Sequence, residues 1–428
     1  LAVQSVPPLS VRFVPVLQTA NGLQGSVADP NQMVDLIRRM YPLADVRTDV
    51  HSPFSASGPL QPQNENKEWD QILSDLEGLR LTEGADDWTY YGVVKVDYAV
   101  GTVGNGFIGT PSAIGYDAPG DAQRVVTHEL GHTWGLLHTP CGNPPSRTLD
   151  PIFPYPAGNI GVYGYDLGRR ALRLPVLPDI MGYCSSPWIS DYSYQRVMNY
   201  RRVNPPGSAA AGTAQACVLI RGHIVNGRAV LEPVFQVVTR PKLPRSAGPY
   251  SVEARAADGS RLFALSFDAT PTAEDVEGSR HFAFAVPLDA ARAAQMSELR
   301  LSGPGALPAA LLPSVAARQR ALMVDDVNLE RERGSVRLRW NAAAHPVVMV
   351  RDPDTGEVLS FARGGDARVA RAARLAQRAA PLPPLGHQSR HPGGPGRRHL
   401  RGDRPGRGPV RDGRGLCDGR GVRTRATL

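Results

Sequence analysis

The stretch His128-Glu129-Leu130-Gly131-His132-Thr133-Trp134-Gly135-Leu136-Leu137-His138 concentrates groups that can do chemistry. His128 and His132 are four apart, so on a helix they leave one face a single turn apart. Two imidazoles placed in this way can share one Zn²⁺, at about 2.0–2.1 Å per Zn–N bond. Glu129, next to the first His, can reach a metal-bound water as general base. Gly135 lets the chain leave the helix through dihedrals that other residues avoid. The turn then brings His138 round as a third nitrogen ligand. Three protein ligands leave one position open for water, the arrangement of a catalytic zinc site and not of a closed structural one.

A second motif follows, Asp179-Ile180-Met181-Gly182-Tyr183-Cys184, with Met181 43 residues after His138. HExxHxxGxxH followed by such a Met-turn resembles the metzincin zinc metalloproteases. The resemblance covers roughly residues 10–202. It implies that Met181 lies beneath the metal. It also implies that Tyr183, two residues after the Met as in astacin- and serralysin-like members, assists at the zinc. The resemblance brings the segments of Cys141 and Cys184 together around one site. A Cys141–Cys184 disulfide is the expected pairing, two free buried thiols being the alternative. A disulfide suits a secreted, extracellular or periplasmic setting.

The elements that must position these residues are partly signalled. Residues 11–17 read as a first strand, with Pro15 pointing to an edge or a strand end. Asp29, Pro30 and Gln32 give an N-cap, N1 and capping-box pattern, and Pro42 stops that helix. A strand over 44–50, a helix over 67–81 with Trp69, Ile72, Leu73 and Leu76 on one face, and a strand over 88–99 follow. Strand–helix–strand–helix–strand implies a mixed sheet with parallel pairs and helices packed on it. Residues 101–117 are Gly-rich but lack the strand-turn-helix context of a nucleotide site. From the resemblance, 107–114 is the antiparallel edge strand above the cleft, where an extended peptide can add by β-pairing. The zinc helix is expected over 120–134.

Residues 139–178 have no periodicity and eight prolines. A loop this long is usually functional, and the family builds its S1′ wall here. Tyr155, Tyr163, Tyr165 and Asp166 either line that pocket or fill the loop's own small core. Asp179 either orients a ligand His or caps a turn, the second being favoured. Ser190 can cap a helix over about 191–202.

From 214 to 363 the pattern becomes short β-rich runs separated by turn signals such as Asp258-Gly259. This reads as an immunoglobulin- or fibronectin-like β-sandwich without a catalytic cluster. His223, His281 and His345 read as packing or surface residues.

The formal net charge of +8 belongs to the tail. Residues 366–428 hold fifteen Arg, four Asp and no Lys or Glu, a net of +11 that leaves −3 for the rest. Basicity therefore does not point to nucleic acid. The tail's composition cannot bury a core and predicts disorder. It reads either as a basic arm or as the product of a shifted reading frame. No window is apolar enough to span a membrane. The chain shows no initiator Met and no leader, so a signal was removed or the sequence is a fragment.

The expected organisation is a leader at 1–9, an α+β metzincin-like catalytic domain at 10–203, and a linker at 204–213. An all-β sandwich at 214–364 and a disordered tail at 365–428 complete it. The expected activity is zinc-dependent hydrolysis of extended protein chains, glycoproteins included, by a monomer, with calcium left open. Two rivals remain: a surface-binding or adhesion protein on a silent metalloprotease scaffold, and a zinc hydrolase acting on a non-peptide amide.

Overall fold

A computed structural model describes residues 5–65, 67–207, 212–275, 277–305, 327–332, 334–370 and 426–427. The first half runs β1 (Leu9–Gln18), α1 (Pro30–Met33), α2 (Asp35–Met40), β2 (Val46–Val50), β3 (Phe54–Ala56), α3 (Glu68–Thr82), β4 (Thr89–Val94), β5 (Gly104–Gly106), β6 (Ser112–Tyr116) and α4 (Ala122–Thr133). A small hairpin of β7 (Gly164–Asp166) and β8 (Ala171–Arg173) precedes α5 (Asp191–Val203).

β1 is central, because its apolar side chains are buried on both faces. It pairs in parallel with β4 on one side and with β2 and then β3 on the other. Pro15 is therefore not on an edge strand. It falls between the ladder to β2, which ends at Phe13, and the ladder to β3, which begins at Val16, so on that side no bond needs its missing N–H. Beyond β4 lies parallel β6, then antiparallel β5. Asp29 caps α1 as its pattern predicts, accepting from the Asn31 and Gln32 amides at 2.9 and 3.2 Å. Val34 divides the expected single helix into two short ones.

The second half contains β9 (Gln215–Val225), β10 (Arg228–Leu231), β11 (Phe235–Thr239), β12 (Tyr250–Ala256), β13 (Arg261–Phe267), β14 (Thr270–Pro271), β15 (Arg280–Pro287), α6 (Ala290–Gln295) and β16 (Met296–Ser302). β17 (Val327–Glu332), β18 (Ser335–Trp340), β19 (Val347–Arg351), β20 (Val358–Arg363), β21 (Asp366–Ala370) and β22 (Ala426–Thr427) follow. The whole is mixed α+β, rich in sheet. A sheet built on β9 and β15 faces a second one of β13-β12-β16, with Val218, Ile220, Phe284, Val252, Phe267 and Leu299 buried in one shared core. This is sandwich-like packing.

The two halves do not stand apart. β9 is buried on both faces: Val218 and Ile220 enter the sandwich core, while Cys217 and Leu219 join the cluster that holds Trp69, Leu76 and Leu79 of α3. That explains why α3 is buried on nearly all sides, including Asp75, Glu77 and Arg80, where an apolar stripe was expected. Asp75 of α3 accepts from Arg221 of β9 at 2.8 Å and from Arg363 of β20 at 2.7 Å. β20 also pairs with β3, so the first-half sheet continues through β20 and β19. The expected tail begins later than its composition implies: 366–370 is β21, paired with β18, because its Ala367 and Val369 alternate into a small core. Residues 371–425, with Cys417, lie outside the described residues, as do 1–4 and 208–211 of the expected leader and linker.

Candidate metal centre

α4 carries His128, Glu129 and His132, all buried. Gly135, at φ +81°, adopts the left-handed conformation that ends the helix cheaply only for Gly. The chain then returns, and His138 is fixed by backbone bonds to Thr148 O and from the Asp150 amide, both 2.8 Å. One ligand atom from each of the three His lies within 4.8 Å of the others. The expected ligand triad is therefore assembled.

The orientation of the rings follows from what their other nitrogens touch. Nδ1 of His128 lies 2.8 Å from Ile180 O, Nδ1 of His132 lies 2.8 Å from Leu136 O, and Nδ1 of His138 lies 2.8 Å from Thr148 Oγ1. The Thr148 hydroxyl donates to Pro145 O, so it accepts from His138. Each Nδ1 thus holds its proton outward, and each Nε2 lone pair faces the centre. Burial, then His138, lowers the His128 pKa to about 3, and burial lowers that of His132, so both stay neutral. Two nitrogens bound tetrahedrally to one zinc at about 2.0–2.1 Å would be about 3.3 Å apart. His128 Nε2 and His132 Nε2 are 3.1 Å apart. His138 Nε2 is buried with no hydrogen-bond partner among the described residues. The donor set fits a metal ion.

Glu129 is buried, and its Oε2 has no hydrogen-bond partner among the described residues. Burial and then the nearby Glu274 carboxylate push its pKa well up. β5 passes so close that a Cβ on Gly104 would stand 2.4 Å from Glu129 Oε1. The glycines of this strand are there for that approach.

Met181 is fully buried, its sulfur 3.9 Å from the Tyr41 hydroxyl and close against Gly131 of α4. Its segment pairs with the one after the third His: Thr139 N donates to Met181 O at 3.1 Å, and Tyr183 N to Cys141 O at 2.7 Å. The Cys141–Cys184 disulfide clamps the two, with Cα atoms 5.7 Å apart. The Tyr183 ring lies 5.1 Å from that of His138, and its hydroxyl donates to Glu274 at 2.6 Å. Burial and Glu274 raise its pKa, so it stays a donor.

Other expectations are corrected. The antiparallel edge strand is Gly104–Gly106 with a bridge at Phe107, not 107–114; residues 108–111 turn, and Ser112–Tyr116 runs parallel to β4. Asp179, by contrast, takes the favoured of its two expected roles and caps a turn. It accepts from the Met181 and Ser190 amides, 2.8 and 2.9 Å away, and so shapes the Met-turn. Asp166 is buried and held in ion pairs by Arg39 and Arg173, with Arg39 the main reason its pKa is lowered. Tyr155 donates to Asp191 at 2.7 Å, while Tyr163 and Tyr165 are exposed. Of these four residues, none touches the triad in the bonds described. Glu274, which does, has no sequence signature: it is one acidic residue in a turn between β14 and β15.

No family model and no curated protein matches the sequence. Among solved structures, the chain is similar to metalloproteinase-II from Bacteroides fragilis, at 13% identity and a TM-score of 0.28. The match covers 46% of this chain and 55% of that one, so this chain spans about half of that structure's length.

Proposed function

We propose that the protein is a zinc-dependent endopeptidase acting on extended polypeptides in an oxidising, extracellular or periplasmic compartment. The observation that carries this is the buried centre itself: three inward Nε2 lone pairs beside a carboxylate whose Oε2 has no hydrogen-bond partner among the described residues. His128, His132 and His138 would hold the ion. When bound, zinc supplies Lewis acidity and makes a water acidic enough to attack at neutral pH.

The remaining work falls to the chain. Glu129 takes the proton of the attacking water and later hands it to the leaving amine. Tyr183 donates a hydrogen bond to the developing oxyanion once Glu274 no longer holds its hydroxyl. The β5 edge offers backbone groups to an extended substrate. A silent scaffold for adhesion would have no use for Glu129, since an unpaired buried carboxylate only costs stability. Among the described residues no helix is long and apolar enough to cross a membrane.

The test compares the full chain with Glu129→Gln, measuring bound metal and cleavage of a denatured protein. One zinc per chain in both, with cleavage by wild type alone that a chelator stops, supports the reading. Loss of the base should cost roughly 10²–10⁴ in rate. A wild type without bound metal would overturn it.

A further inference from the structure

The edge expected to receive substrate is already paired. Ala273 N donates to Gly106 O at 2.9 Å, Ile108 N donates to Pro271 O at 3.0 Å, and Phe107 bridges Thr272 in antiparallel register. Glu274 N reaches the Asn105 side chain at 3.2 Å. Residues 271–274 thus lie on the outer side of β5 as an added strand, with Thr272 and Ala273 fully buried.

This strand ends in the metal centre. Glu274 Oε1 lies 3.5 Å from His138 Nε2, close to the spacing of about 3.3 Å for two ligands of one tetrahedral ion. Glu274 also forms a ligand-spaced group with His128 and Glu129. Two carboxylates brought together in a buried site repel unless one takes up a proton or a metal cation stands between them. Tyr183 holds both oxygens of Glu274 at 2.6 Å, aiming the carboxylate at the triad.

We propose that Glu274 is the fourth protein ligand of the bound ion, and that residues 271–274 occupy the substrate edge. Substrate therefore competes with this segment for the centre, and the full chain works only in the fraction in which the segment is displaced. The inference rests on the metal-site reading and adds to it a state in which the open position is closed from within.

The test uses the full chain loaded with Co²⁺, with Glu274→Gln and Glu274→Ala beside it. Gln keeps the size and hydrogen bonding of the side chain, so it separates ligation from folding. The readouts are metal content, the visible Co²⁺ spectrum and its titration with acetohydroxamate, a small metal-chelating probe. An internal ligand lowers the competent fraction, so both variants should bind the probe about tenfold or more tightly than wild type. Their unliganded spectra should also differ from that of wild type. Equal metal content with the same spectrum and probe affinity in all three would overturn the internal ligand while leaving the metal site intact. No bound metal in any of them would remove the metal site and this inference together.

Discussion

Two buried helices carry carboxylates in opposite circumstances. On α3, Asp75 is met by Arg221 and Arg363, and Glu77 by Arg80 at 2.6 Å and Ser112 at 2.7 Å. On α4, Glu129 has an oxygen with no hydrogen-bond partner among the described residues and another carboxylate near by. Burial is similar; pairing is not. Paired groups have their desolvation offset within the protein and join its parts together. An unpaired group keeps a high proton affinity and an unfilled bonding direction, which is what a reaction needs. The contrast also separates the two sources of the molecule's stability from its chemistry. The α3 cradle ties the second half to the first, while the α4 centre is held by backbone contacts around it.

The largest effect should come from cutting the paired side. Asp75→Ala leaves two Arg facing a buried gap and should cost about 3–5 kcal/mol, read by urea denaturation. Glu129→Gln should leave the metal-free protein as stable as wild type or more so; a loss matching that of Asp75→Ala would break the comparison. Next is the clamp at the centre. Replacing Cys141 and Cys184 together by Ser should cost about 2–4 kcal/mol, with thermal melting under oxidising conditions as the measurement.

The smallest effect sharpens the boundary between the regions. Asp70, at the start of α3, bonds Asn105 at 3.0 Å, and burial raises its pKa to about 6. Its folded value is above its unfolded one, so its contribution is fully present below about pH 4 and is lost as pH rises through 6. Relative to Asp70→Asn, wild type should lose stability across that window and stay level above it. A flat difference in denaturation midpoint from pH 4 to 7 would count against it.

Local rules carried much of this into the sequence. The HExxH spacing, the Gly135 turn, the Asp29 and Ser190 caps and the runs that became β12, β13 and β18 all depend on near neighbours. The misses depend on distant ones. β5 is nearly all glycine and shows no alternation, so its register comes from its neighbours β6 and Glu129. α3 reads as amphipathic until β9 covers its outer side. Glu274 acquires meaning only once residues 271–274 reach residues 105–108.

The pairing of β20 with β3 has a consequence for biogenesis. Ser360 Oγ donates to Ser55 O at 2.7 Å, across 305 residues of chain. A ribosome adding about 5–20 residues per second needs on the order of 15–60 s between the two. Throughout that interval the open flank of β3 waits without its cover, and α3 waits until β9 has emerged. A truncation before β20 should leave that flank bare and accumulate as aggregate.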